Sequence, residues 1–188
     1  MRAISQTIAI SQTRDLHEIF HSGELSAQKR FNKRKKWNEN AIAGLNKMFK
    51  EAIDDETAYF IEGQKFFFIS TADNKGECDC SFRGIEESES EHQPQSVFVP
   101  NSKTLIFPDY AGNNIYNSLG NIMVNPQIGL LFIDFHSALR LRINGGAKII
   151  EDKNSYINLW PKALRYIEVD VKQVYYNCSK RIKESVKI

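Results

Sequence analysis

Residues 105–150 constrain the fold of this chain more than any other segment. They run LIFPDYAGNNIYNSLGNIMVNPQIGLLFIDF and, after a short break, LRLRINGGAKII. The first apolar run is strand-like and ends in a polar loop. Residues 114–124 then place Ile115, Leu119, Ile122 and Met123 on one helical stripe. Pro126 disfavours helical geometry at Asn125 and ends that helix. Residues 128–135 are nearly all apolar and are expected to be buried on both faces. Leu139, Leu141 and Ile143 alternate with Arg140, Arg142 and Asn144, which gives a strand with one apolar and one basic face. Gly145-Gly146 marks a bulge or a close backbone approach. Strand, loop, short helix, strand, hairpin, strand is the grammar of a mainly β protein with accessory helices.

The rest of the β pattern flanks this segment. Residues 66–71 are strongly β-prone, and Asp73-Asn74-Lys75-Gly76 is a hairpin turn of residue types that accept positive φ. Residues 77–83 return. Residues 86–95 are acidic and Ser-containing and read as an exposed loop. Strands are expected at 96–99 and 104–107 around a turn at 100–103, and a last strand lies within 163–176. With 12 Phe, 7 Tyr and 2 Trp, the aromatics favour strands and stacking surfaces.

Before residue 56 the pattern is helical. Residues 1–14 are polar and read as a loose arm. Residues 24–38 carry Leu25, Phe31 and Trp37 among many cations, and residues 39–49 place Ile42, Leu45, Met48 and Phe49 on one side. A third helix starts at Asp54-Asp55-Glu56, with acids at the favourable end, and stops near Gly63. The expected division is an arm and helical extension over 1–55 and a β domain over 56–188.

Composition removes several function classes. The chain has 188 residues, a 41% hydrophobic share and a net charge of +2. That supports a proper core but not a whole-surface attraction to nucleic acid. The cations between residues 29 and 36 read as the solvated face of a helix rather than a phosphate-binding surface. No apolar run is long enough to span a membrane, and the first residues lack the apolar core of a signal peptide. The cysteines number 3. Cys78 and Cys80 are expected on opposite faces of a strand and unpaired, as reduced thiols of a cytoplasmic protein. Neither a zinc spacing, a P-loop, a dinucleotide glycine fingerprint nor a Ser-His-Asp pattern is present.

The loop Tyr110-Ala111-Gly112-Asn113-Asn114 ends a strand and opens a helix. Free N–H groups and the positive dipole end at such a place favour a phosphate. From spacing alone an ordinary N-capped turn is the better explanation.

Four segments in order carry a resemblance: FFFISTADNKGECDCSFRG (66–84), TLIFPDYAGNNIYNSLGNIMVNPQIGLLFIDF (104–135), LRLRINGGAKI (139–149) and VYYNCSKRI (174–182). Together they resemble the pyridoxamine 5'-phosphate oxidase-like flavoproteins, the FMN-binding split β-barrels, and more narrowly a bacterial subgroup of uncertain substrate. The resemblance implies a homodimer with FMN in clefts that draw on both chains. It implies cofactor contacts at Ser81, Phe82 and Arg83, at Phe107, Pro108 and Asp109 under the ring, and at Gly112, Asn113 and Asn114 around the phosphate. It also implies contacts at Arg140 on the flavin edge, and at Asn177 and Cys178 reaching the neighbouring subunit's flavin. The bland alternatives are a surface Arg83 paired with Glu86, a capping Asp109, a solvated Arg140 and a packed Cys178.

This chain departs from the family pattern in its acidic 85–95 loop, in Asn114 where many relatives carry a cation, and in Ser179-Lys180-Arg181 after Cys178. The activity implied is an FMN-dependent oxidoreductase taking a small-molecule substrate or a nicotinamide donor, with deazaflavin in place of FMN left open. The alternatives are a flavin carrier or sensor without turnover, and a basic-helix interaction protein using the barrel as a dimer scaffold. No catalytic residue is assigned; Tyr110 and Tyr116 are the candidate proton donors. The C-terminal Arg-containing substrate pattern of true pyridoxamine phosphate oxidation is missing.

Overall fold

The computed structural model describes residues 13–32, 37–85 and 95–177. They fall into a helical unit ending at Lys50 and a β unit beginning at Glu51. The acidic stretch 86–94, the segment 33–36 and Cys178 with everything after it lie outside the described residues.

The helical unit holds α1 (Leu16–Ile19), α2 (Ser22–Phe31) and α3 (Glu39–Met48). Each start is capped by a side chain: Asp15 with Glu18 and His21 with Glu24 form capping boxes, and Asn38 accepts from Ala41 N. The Asn46 carboxamide accepts from Arg14 N and donates to Arg14 O, and the Arg14 guanidinium donates to Phe49 O. α2 ends at Phe31, well short of residue 38, and buries no residue. Phe31 is 75% exposed, so its apolar stripe is not a core face.

The β unit opens with α4 (Asp55–Glu62), capped by Asp54 and closed by Gly63 as its sequence dictates. Seven strands follow: β1 (Phe66–Ala72), β2 (Cys78–Gly84), β3 (Phe98–Asn101), β4 (Thr104–Asp109), β5 (Gln127–Asp134), β6 (Leu139–Ile150) and β7 (Arg165–Asn177). α5 (Asn117–Val124) lies between β4 and β5. The sheet order is β2-β1-β5-β6-β7-β4-β3, with every neighbouring pair antiparallel. The fold is mainly β, a split barrel with helices attached.

The inner face carries one continuous core. Phe67 stacks on Phe132 at 5.1 Å and meets Phe107 edge-on at 5.2 Å. Ile69, Leu130, Ile143 and Val174 stand in register across four strands and are all buried. A smaller cluster of Ile106, Trp160, Ala163 and Tyr166 packs on β4 and β7. α5 is seated by polar contacts: Ser118 Oγ donates to Asp79 Oδ2 at 3.0 Å, and Asn121 Nδ2 donates to Thr71 Oγ1 at 3.1 Å.

Several local expectations change. The helix begins at Asn117, not Asn114, because Asn114 and Tyr116 take φ of 60° and 61°, which a right-handed helix excludes. Leu119 and Ile122 are buried as its stripe requires, whereas Ile115 is 64% and Met123 77% exposed. β5 is buried on one face only: Ile128, Leu130 and Phe132 point inward, and Leu131 and Ile133 are half-buried on the outer face. The strand period of two puts Cys78 and Cys80 on the same face of β2, not on opposite faces, and both are free and exposed. Pro100 and Asn101 belong to β3, so its hairpin turn tightens to Ser102-Lys103. Among the described residues no helix is long and apolar enough to cross a membrane.

Candidate functional site

β2 forms one edge of the sheet, and β4 lies one strand in from the other edge. Barrel curvature brings them together. Arg83, on the inner face of β2, donates from Nη1 to Asp109 Oδ1 at 3.0 Å. Asp109 ends β4 and is 8% exposed; its other oxygen lies 3.4 Å from Arg165 Nε at the start of β7. The pairing register places Asp109 directly opposite Arg165. Two arginines therefore share one buried carboxylate. The Arg83 Nε–H is buried and finds no acceptor among the described residues.

A cavity of about 350 Å³ opens beside this cluster. Ser81, Arg83 and Asp109 line it from the strands, and Gly112, Asn113 and Asn114 line it from the loop. The Asn113 carboxamide oxygen accepts from Ile115 N at 3.1 Å, and that of Asn114 accepts from the Tyr116 hydroxyl at 3.2 Å. Both oxygens are committed within the loop, which leaves the two NH₂ groups as donors. The Tyr116 ring lies 5.5 Å from the Arg165 guanidinium, in cation–π range. Gly112 takes no positive φ, and a Cβ there would meet nothing within 4 Å; the left-handed backbone falls on Asn114 and Tyr116 instead.

Six of the residues selected in the sequence thus converge on one cavity from segments nearly thirty residues apart. Five others do not line it, and Cys178 lies outside the described residues. Phe82 is 60% exposed on the outer face of β2. Phe107 is fully buried in the core, and Pro108 is buried on the neighbouring strand position. Arg140 and Asn177 face each other across β6 and β7 on the outer face. Asn177 Oδ1 is buried there without a hydrogen-bond partner among the described residues.

The family model for pyridoxamine 5'-phosphate oxidase matches residues 53–178, the larger part of the chain. The chain belongs to that family. Among solved structures, a HupZ variant from Group A Streptococcus is 19% identical, with 66% of this chain and 99% of that one covered at a TM-score of 0.51. General Stress Protein 26 from Bacillus anthracis is also 19% identical, with 64% and 91% covered and a TM-score of 0.41. An FMN-binding protein from Syntrophomonas wolfei is 11% identical, with 65% and 85% covered and a TM-score of 0.45. No curated protein matches the chain.

Within this member of the family, sequence reasoning missed Asp79, Ser118 and Arg165. Asp79 and Ser118 line the cavity and bond to each other. Arg165 had a legible signal, since it opens a strand with a charge opposite to that closing β4, but the β4–β7 pairing is non-local. The formal charges around the cavity balance: Arg83 and Arg165 against Asp79 and Asp109. Among the described residues no group of His, Cys, Asp and Glu is arranged to hold a metal ion.

Proposed function

We propose that this chain binds FMN in the polar cavity and works as a flavin-dependent oxidoreductase of the pyridoxamine 5'-phosphate oxidase type. The observation that carries the reading is the convergence of Arg83 with Asn113 and Asn114 on one cavity, with a buried Arg83 Nε–H lacking an acceptor. A phosphate group would satisfy that donor and draw on the two carboxamide NH₂ groups. The residues present fit the group. Asp109 fixes the Arg83 fork, and Asp79 and Ser81 supply acceptors or hydroxyls for a polyol. Bound FMN supplies hydride transfer; the protein supplies orientation and charge.

Because the two arginines are balanced by two carboxylates, additional positive charge for a dianion comes best from a second chain. The outer sheet face supports a homodimer. Phe66 stacks on Phe82 at 5.4 Å and on Phe135 at 6.3 Å, and Phe82 and Phe135 are both exposed. An exposed aromatic patch of this kind marks an association surface. Arg140 and Asn177 lie on that same face, from which one protomer would reach its partner's flavin.

The test is the identity and amount of any chromophore released on denaturing the purified protein. FMN at up to one per chain is the expected result. The double variant Arg83→Ala/Asn113→Ala should lose it, and unchanged FMN stoichiometry would reject this placement of the phosphate. Bleaching of the yellow protein by NADH or NADPH, reversed by air, separates an enzyme from a carrier.

A further inference from the structure

Gly120 sits inside the eight-residue helix α5, is exposed, and has a helical backbone. A glycine there is less favourable than alanine, because it loses more backbone freedom on folding. Packing does not require it, because a Cβ at this position would meet nothing within 4 Å. What the missing side chain does is keep a second cavity open. This one measures about 640 Å³ and shares Tyr116 and Leu119 with the polar cavity.

Its walls are of a different kind. Leu119, Met123, Ile149 and Leu164 make it largely apolar, and Met123 is 77% exposed with no side chain covering it. The charged groups at its boundary are Arg165, Lys153 and Glu151; Arg165 is already ion-paired with Asp109, so it offers an acid group hydrogen-bond donors rather than net charge. Arg165 is the pre-oriented one, held by Asp109 at 3.4 Å and set over the Tyr116 ring. Tyr116 itself, which lines both cavities, holds φ of 61°, a conformation costly for a bulky residue. The volume lies within the range of small-molecule sites, which pair apolar walls with a few placed charges.

We propose that this cavity is a subsite for a small amphipathic monoanion, an apolar ring or chain bearing one carboxylate or sulfonate. The apolar part lies along Gly120 and Met123, and the acid group faces Arg165 and Lys153. The subsite stands on its own walls and goes beyond the flavin reading, although its position beside the proposed phosphate seat would bring its occupant next to the cofactor.

The probe is 8-anilinonaphthalene-1-sulfonate, titrated by fluorescence against the full-length protein with octanoate as competitor. Saturable binding of one probe per chain, displaced by octanoate, is expected. Gly120→Leu projects a side chain into the cavity and should raise helix propensity; Met123→Glu places a like charge on its wall. Each should weaken probe binding by about tenfold or more, while FMN content and oligomeric state stay unchanged. FMN loss in Arg83→Ala/Asn113→Ala with probe binding retained would keep the two sites distinct. Unchanged probe affinity in both Gly120→Leu and Met123→Glu overturns the proposal. So does loss of the probe on Phe82→Ser, which would place binding on the aromatic sheet face, or a change of oligomeric state in Gly120→Leu, which would make the cavity a subunit contact.

Discussion

Arg83 on β2 and Asp109 on β4 meet at 3.0 Å and tie one edge of the seven-stranded sheet to the strand next to its other edge. No ladder hydrogen bond joins these strands, so the ion pair and its second arginine, Arg165, are a local closure of the barrel. Asp109→Ala would strand two largely buried guanidinium groups. Breaking a buried pair by removing one partner costs about 3–5 kcal/mol. Asp109→Asn keeps an acceptor and should cost less. Urea unfolding of both variants measures this, and a loss below about 1 kcal/mol for Asp109→Ala would show that the cluster does not couple the sheet ends.

The β6–β7 ladder shifts register between Asn144 and Gly145, and a Cβ on Gly145 would sit 2.2 Å from Asp170 O. Backbone is in the way, so the strain cannot be relieved by a side-chain rotation. Gly145→Ala should destabilise by about 1–3 kcal/mol or more. The neighbouring Gly146→Ala is the control, because its Cβ would meet only the Lys172 Nζ at 4.0 Å. Thermal unfolding should separate the two by several degrees, at about 2–4 °C per kcal/mol for a chain of this size. Equal melting temperatures would contradict the close approach.

Phe132 and Phe82 test the two faces of the sheet. Phe132 is fully buried and stacks on Phe67, so Phe132→Ala should cost about 3–5 kcal/mol. Phe82 is 60% exposed, so Phe82→Ser should leave unfolding of the isolated chain nearly unchanged. If the aromatic face is the proposed dimer contact, Phe82→Ser should instead shift sedimentation toward the monomer. A wild-type protein that sediments as a monomer at all concentrations would remove the dimer from the functional reading.

The parts of this fold legible in the sequence are those written locally. The Asp73-Asn74-Lys75-Gly76 turn, the capped helix from Asp54 to Gly63, the stop at Pro126 and the tight glycine at 145 each rest on neighbouring residues. Arg83 and residues 112–114 are picked out by the family resemblance rather than by local spacing, and the fold lines one cavity with them. The readings that changed depended on partners far along the chain. β5 read as doubly buried because apolar residues alone do not tell a core face from an outer face awaiting a partner. Periodicity starts the helix at Asn114, three residues before the structure does, because the left-handed turns at Asn114 and Tyr116 serve a loop geometry that periodicity does not encode. The role of Arg165 is not legible in the sequence because it exists only once β7 pairs with β4.

Asp134 gives a pH-dependent test. It closes β5, accepts from the Ser137 hydroxyl and from His136 N, and these contacts hold its carboxyl below the ordinary value of 3.8, against some desolvation. The folded chain therefore binds this proton less readily than the unfolded chain. The stabilisation is fully present above the unfolded value, near pH 4, and is lost as pH falls through the lower folded value. Ser137→Ala removes the leading contact. At neutral pH it should cost no more than about 1 kcal/mol, since the turn is exposed. The gap between wild type and variant should hold from about pH 7 to about pH 4 and close below it. Urea midpoints measured across that range check the sign; a gap that widens on acidification would mean the contact favours the protonated acid.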